Sequence, residues 1–344
     1  MKKDFVFLFA IVVVLGFLAG ACKAQETEPA PIEPTLTSLP TNTPLPPTAT
    51  TTSEPTEEPE PTETAPPPTA TTEPTPTEPE QLKAGATRVS EKDGMVQVFV
   101  PAGEFIMGSD SWEAQNSTEK GRAYPENPVH TTYVDDYWID KFEVSNEQYG
   151  LCVDAGVCDP PYLYRSETRD RYFDDPEFAN FPVIYVNWYM ATTYCEWAGR
   201  RLPTEAEWEK AARGTDGRKY PWGDEPITGE RVNLCDKTCE RAISNPNFDD
   251  GYADTSPVGN YPAGASPYGV MDMSGNVWEW TSTIIQPYPY DADDGRENQD
   301  LYKERVWRGG PWSNGYWWVR SSVRYRSIPS YWFVNLGFRC AASP

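Results

Sequence analysis

Residues 83–344 predict a loop-rich α+β domain, and three observations carry that expectation. Helical signals are few but sharply capped. The remaining chain is dense in glycine, proline, asparagine and aromatic residues, with only short alternating runs. Six cysteines and all 13 tryptophans also fall in this stretch, which is long enough to bury a sizeable core. Loops without regular structure need large side chains to pin them, so most of the rings are expected inside.

In chain order, the runs Val96–Val100 and Tyr133–Ile139 alternate as strands do. Ser145-Asn146-Glu147-Gln148 has the form of a capping box, in which serine and glutamine satisfy each other's backbone N–H, ahead of a helix through Tyr149–Val153. Asn187 is placed to cap a second helix over Trp188–Ala198, with Gly199 as its stop. Thr204-Glu205-Ala206-Glu207 repeats the capping box for a third, which runs to Arg213 and ends at Gly214.

The chain before residue 83 has a different composition. Lys2 and Lys3 precede an apolar run from Phe5 to Leu18, shorter than the ~20 residues a spanning helix needs. With the small residues Ala19-Gly20-Ala21 before Cys22, residues 1–22 read as a secretory signal similar to the bacterial lipobox, although Ala19 stands where a larger aliphatic is usual. The expectation is a lipid on Cys22 and a protein held in the cell envelope, facing the extracytoplasmic side. Residues 23–82 contain 16 prolines, 17 threonines and 11 glutamates and no aromatic residue, a composition that builds no core and predicts a disordered, semi-extended tether.

Net charge is −23, of which the tether carries −10 and residues 83–344 carry −14. Nucleic acid is excluded as a partner by that balance, and so is attraction to an anionic membrane surface. His130 is the single histidine, which excludes zinc and iron sites built on two or three imidazoles. The six cysteines beyond Cys22 imply disulfides in an oxidising compartment: Cys152 with Cys158 and Cys235 with Cys239 can close small loops, leaving Cys195 for Cys340. A zinc site is the competing reading, disfavoured because the spacings do not repeat a CxxC pattern.

Several phrases in order narrow the fold further. They are Val100-Pro101-Ala102-Gly103-Glu104-Phe105-Ile106-Met107-Gly108, Asp140-Lys141-Phe142-Glu143-Val144-Ser145-Asn146, Gly199-Arg200-Arg201-Leu202-Pro203-Thr204-Glu205-Ala206-Glu207-Trp208, Gly275-Asn276-Val277-Trp278-Glu279-Trp280, Arg308-Gly309-Gly310 and Gly337-Phe338-Arg339-Cys340. Together they resemble the formylglycine-generating enzyme family, also called the sulfatase-modifying factor domain. The resemblance implies a fold related to C-type lectins, bound calcium, and a Cys195–Cys340 bridge. Implied calcium donors are Asn233 and Asp250 with the carbonyls of Leu234 and Tyr252, then Asp272 and Glu279 with the carbonyls of Gly275 and Val277, and Glu126 as a further metal-associated acid. The alternative is that these residues merely cap turns.

The family's oxidase uses a copper-binding cysteine pair to make formylglycine in a sulfatase, since soft thiolates suit Cu(I). The matching positions here are Asn314 and Val319, so copper is not expected. The related iron-dependent sulfoxide synthases need three histidines, which the chain lacks. Trp312, Asn314, Trp317, Trp318, Arg320, Arg324 and Arg326 fall in the segment that builds the family's substrate groove. They are expected to line a binding site for polysaccharide, peptide or a partner protein in a non-oxidase accessory module. The alternative is a formylglycine-generating oxidase.

Overall fold

The computed structural model describes residues 82–116 and 125–344. The expected signal, the expected lipidation site Cys22 and all but Leu82 of the expected tether lie outside the described residues. Local chemistry sets the helices. Ser145 accepts the Gln148 N–H while the Gln148 side chain returns to the Ser145 N–H, opening α2, Asn146–Asp154; the five-residue α1, Trp112–Asn116, precedes it. Asn187 Oδ1 accepts the Met190 N–H at 3.0 Å to open α3, Trp188–Trp197. Thr204 and Glu207 complete the second capping box at α4, Glu205–Arg213, and Gly214 follows with φ 68°.

Among the described residues ten short strands form three sheets. β1 (Thr87–Val89), β2 (Val96–Val100), β5 (Tyr137–Asp140) and β10 (Ala341–Ala342) are antiparallel neighbours in that order. β3 (Gly103–Met107) pairs with β4 (His130–Val134). β8 (Tyr325–Ser327), β7 (Arg305–Arg308), β6 (Trp278–Ile284) and β9 (Leu336–Phe338) make the third sheet, in which β6 and β9 run parallel. The run Tyr133–Ile139 is therefore two strands. Asp135 and Asp136 interrupt it because acidic residues pack poorly on a pleated surface, and β5 beyond them is buried on both faces.

One core joins α2, α3, β6, β7 and β9 around Trp188, Tyr194, Trp280 and Trp307, with the Cys195–Cys340 disulfide inside it. Cys152–Cys158 and Cys235–Cys239 are also bridged, so the zinc reading of the short cysteine pairs fails: these sulfurs are bonded to each other. A bridge closing a loop of 145 residues stabilises by about 5 kcal/mol in the chain-entropy account.

Every residue of α4 is buried, charged ones included. Burying a charge is costly unless it is paired, and apart from Arg213 on α4 itself the partners come from distant parts of the chain. Glu205 pairs with Arg324, Glu209 with Arg213 and Arg308, and Lys210 Nζ donates to the carbonyls of Pro101, Gly103 and Val134. This charged axle holds the third sheet against β3 and β4, and so fixes the loops that leave β6 and β7.

Candidate functional site

Two oxygen-rich loops lie side by side before β6. The first contains Asn233, Leu234, Asp250 and Tyr252. Asp250 accepts the N–H groups of Leu234 at 2.8 Å and Tyr252 at 3.1 Å. Its carboxyl is pushed up to about 7, by burial first and then by Asp236 and Asp249. Asn233 donates to the Asp254 carbonyl at 2.8 Å, while its own Oδ1 is buried without any partner.

The second loop runs from Asp272 into β6. Asp272, Gly275 and Asn276 all have left-handed backbone, which Asp and Asn tolerate better than most side chains. At Gly275 a Cβ would stand 2.3 Å from the Asn233 carbonyl oxygen, so only glycine fits. Asp272 Oδ2 accepts the Gly259 N–H at 2.6 Å and Oδ1 has no partner. Glu279 accepts Arg339 on both oxygens and the Trp208 indole N–H on one. Glu143 accepts Asn276 Nδ2 at 2.6 Å and the Val277 N–H at 3.2 Å.

The electrostatics of this second loop are unbalanced. Asp272, Glu143 and Glu279 are all buried, and Arg339 is the cation that offsets them. Burial raises the carboxyls of Glu143 and Asp272, and the neighbouring carboxylates raise them further. Each loop thus has an orphaned buried oxygen, and the donors are carboxylate and amide with main-chain carbonyls alongside. That set suits a hard cation such as calcium. Among the described residues no three carboxylate, imidazole or thiol groups converge on one point, so such an ion would draw on amide and main-chain oxygens as well. The two loops are stitched together: the Asn276 N–H donates to the Asn233 carbonyl at 3.1 Å, and Asn233 Nδ2 to Asn276 Oδ1 at 3.3 Å.

The aromatic segment hangs from these loops. Trp312 donates its N–H to the Asn276 carbonyl at 2.8 Å, and the Asn314 carbonyl accepts the Cys235 N–H at 3.2 Å. Beyond Asn314 a single helical turn, Tyr316–Trp318, projects rings into two cavities. One, of about 730 Å³, is walled by Leu234, Cys235, Phe248, Tyr316, Trp317 and Trp318 among others. The other, of about 500 Å³, is walled by Trp278, Trp307, Asn314, Trp318, Tyr325 and Arg326 among others. Strand register builds the second wall: Trp307 of β7 stands opposite Tyr325 of β8, and Trp278 of β6 stacks on Tyr325 with centroids 5.6 Å apart.

A family model described as the sulfatase-modifying factor enzyme 1-like domain matches residues 83–344. The chain belongs to this family. It is 34% identical over 293 residues to the formylglycine-generating enzyme of Streptomyces coelicolor, covering 71% of this chain and 88% of that protein. It is also 31% identical over 287 residues to the inactive C-alpha-formylglycine-generating enzyme 2 of Bos taurus, covering 71% and 87%. Among solved structures, PvdO from Pseudomonas aeruginosa superposes with a TM-score of 0.60 at 26% identity, covering 77% of this chain and all of that one. Relatives called formylglycine-generating and relatives called inactive are therefore both near, and the site must decide between them.

In this sulfatase-modifying factor domain all six described cysteines are in disulfides. Val319 is fully buried in a small apolar cluster and Asn314 sits in a cavity wall. Of the expected groove residues, Asn314, Trp317, Trp318 and Arg326 line cavities. Three do not. Trp312 is core, packed beneath the Arg241 guanidinium. Arg324 is fully buried, clasping both oxygens of Glu205 at 2.6 and 2.8 Å above the Tyr288 ring. Arg320 is held by Glu126 in the same bidentate way at 2.6 and 2.7 Å.

Glu126, expected as a further metal-associated acid, has its oxygens engaged by that guanidinium and the Ser322 hydroxyl, just as Glu279 has its own engaged by Arg339 and Trp208. Sequence reasoning missed Trp278, Trp307, Phe248 and Cys235 as cavity walls. Strand pairing and the Cys235–Cys239 loop bring them there, and no local signal marked them.

Proposed function

We propose that this chain is a non-oxidase member of its family: a lipid-anchored, extracytoplasmic, calcium-stabilised binding or accessory domain on a scaffold related to C-type lectins. The observation that carries the reading is the cavity wall at Asn314. Copper-dependent oxidation in this family needs two free thiolates there, and this domain offers an amide, a buried valine and disulfide-bonded sulfurs. A ring-lined cavity suited to binding remains. Three disulfides support an oxidising compartment, and the apolar run before Cys22 supports export with lipid attachment. Calcium is supported by the two orphaned oxygens and by the excess buried carboxylate beside Arg339.

The test uses a Cys-x-Pro-x-Arg sulfatase peptide with Cu(I) and oxygen. No aldehyde should form; aldehyde that disappears on mutating a cysteine sinks the proposal. One observation keeps the oxidase as a second reading. Cys235 lines the larger cavity and donates its N–H to Asn314, so a reduced Cys235–Cys239 pair would put a thiol near the family's catalytic position. Repeating the assay after mild reduction, with Cys235→Ser as control, separates the two.

A further inference from the structure

The ligand of a binding domain can be narrowed by asking what its walls satisfy. The two cavities share one partition, the Trp318 ring, which contacts Trp278 and Tyr325 edge-on on one side and lines the larger cavity on the other. Each is within the size range of small-molecule sites. Lys219 is the one charged wall residue of the larger cavity and Arg326 of the smaller, and both are paired: Lys219 with Glu113 at 2.8 Å, Arg326 with Glu304 at 2.7 Å. The walls thus carry no uncompensated charge. Besides the polar edges of the tyrosine and tryptophan rings, their other polar side chains are amides and hydroxyls, from Ser244 and Asn245 in one and Asn314, Ser327 and Asn335 in the other.

The rings are the second constraint. Tyr316 and Trp317 at the larger cavity, and Tyr331 and Phe333 at the smaller, are each about two-fifths exposed or more. Trp112, more exposed still, reaches to 5.9 Å from the Trp317 ring. Flat apolar faces kept at the surface beside neutral amides fit a molecule with an apolar CH face and a rim of hydroxyls. A quaternary ammonium, the other common occupant of an aromatic box, has no hydrogen bond to offer the amides and hydroxyls of these walls, whereas a sugar has many.

We propose that the twin cavity binds a neutral oligosaccharide, with sugar units on either side of Trp318. This deepens the binding-domain reading and rests on it. Because the partition divides the site, one sugar unit fills one side only, and affinity should climb from monosaccharide to di- and trisaccharide.

The experiment is affinity electrophoresis of the purified full-length chain in gels containing hydroxyethylcellulose, laminarin or galactomannan, with alginate and heparin as anionic comparators. At least one neutral polymer should retard the protein. Trp317→Ala should weaken that retardation several-fold and Trp318→Ala at least tenfold. If Trp318→Ala fails to fold, Trp318→Phe serves instead, and the surface change Trp317→Ala remains informative. Retardation by the anionic polymers alone, by none of the polymers, or unchanged in Trp317→Ala overturns the proposal. Capture of an extended peptide instead of sugar overturns the ligand class but leaves the binding domain standing. Aldehyde formation on the sulfatase peptide would remove that reading itself.

Discussion

The stretch from β7 to β8 has two sides that invert the usual arrangement of a soluble protein. Arg308, Arg320 and Arg324 point inward and are paired with Glu209, Glu126 and Glu205. Tyr316 and Trp317, from the same stretch, stand at the surface over a cavity. Charges with every partner inside the protein belong to the scaffold. Rings left at the surface, where burial would have stabilised the fold, are available to something outside it. On the proposed reading binding belongs to the aromatic side, and four measurements press on that division.

The largest effect should come from the charged side. Arg324→Ala leaves Glu205 buried without its bidentate partner, and a broken buried pair costs about 3–5 kcal/mol, enough to prevent folding in many domains. Chemical denaturation of that variant should show the loss, and wild-type stability would mean that the interior charges are not structural.

Next in size is the calcium expected at the two oxygen-rich loops. A ligand held at a hundred times its dissociation constant stabilises by about 3 kcal/mol, so chelation should lower the melting temperature clearly. Asp272→Ala should abolish the response to added calcium. An unchanged melting curve, with no ion found by elemental analysis, would refute the metal assignment.

A pH effect of similar or smaller size follows from Asp140. Burial pushes its carboxyl up to about 6 although Arg200 stands beside it. A carboxyl raised by folding holds its proton more tightly in the native state. Its contribution is therefore present below about pH 4 and is lost as pH rises through 6. That difference is worth about 3 kcal/mol at most. The stability gap between wild type and Asp140→Asn, measured from pH 4 to 7, should change by up to that amount; a flat gap would show that Arg200 keeps Asp140 ionised.

The smallest stability change belongs to the aromatic side. Trp317→Ala should move folding by no more than about 1 kcal/mol while weakening ligand binding several-fold. A large stability loss with no loss of binding would reverse the division between the two sides.

The sequence made the locally determined features legible. Ser145, Asn187 and Thr204 announce their helices because a cap acts over three residues, and the cysteine pairs close loops too short to pair otherwise. Arg320 and Arg324 were misplaced for the opposite reason: their partners lie 194 and 119 residues away. Only tertiary structure shows that an arginine in an aromatic stretch answers a glutamate on a helix. Trp312 went the same way, into a core that closes over the Cys235–Cys239 loop. Of the cleft, the rings that follow Asn314 were visible in advance, and the wall built by pairing β6, β7 and β8 was not.

The contact at Gly275 bears on descent. With no room there for even a methyl group against the Asn233 carbonyl, the two oxygen-rich loops cannot drift independently: displacing one displaces the other. A substitution that moves one loop is expected to move its neighbour. Lineages that abandon one loop should be found to have abandoned its neighbour as well, while the cleft suspended from them remains free to diversify.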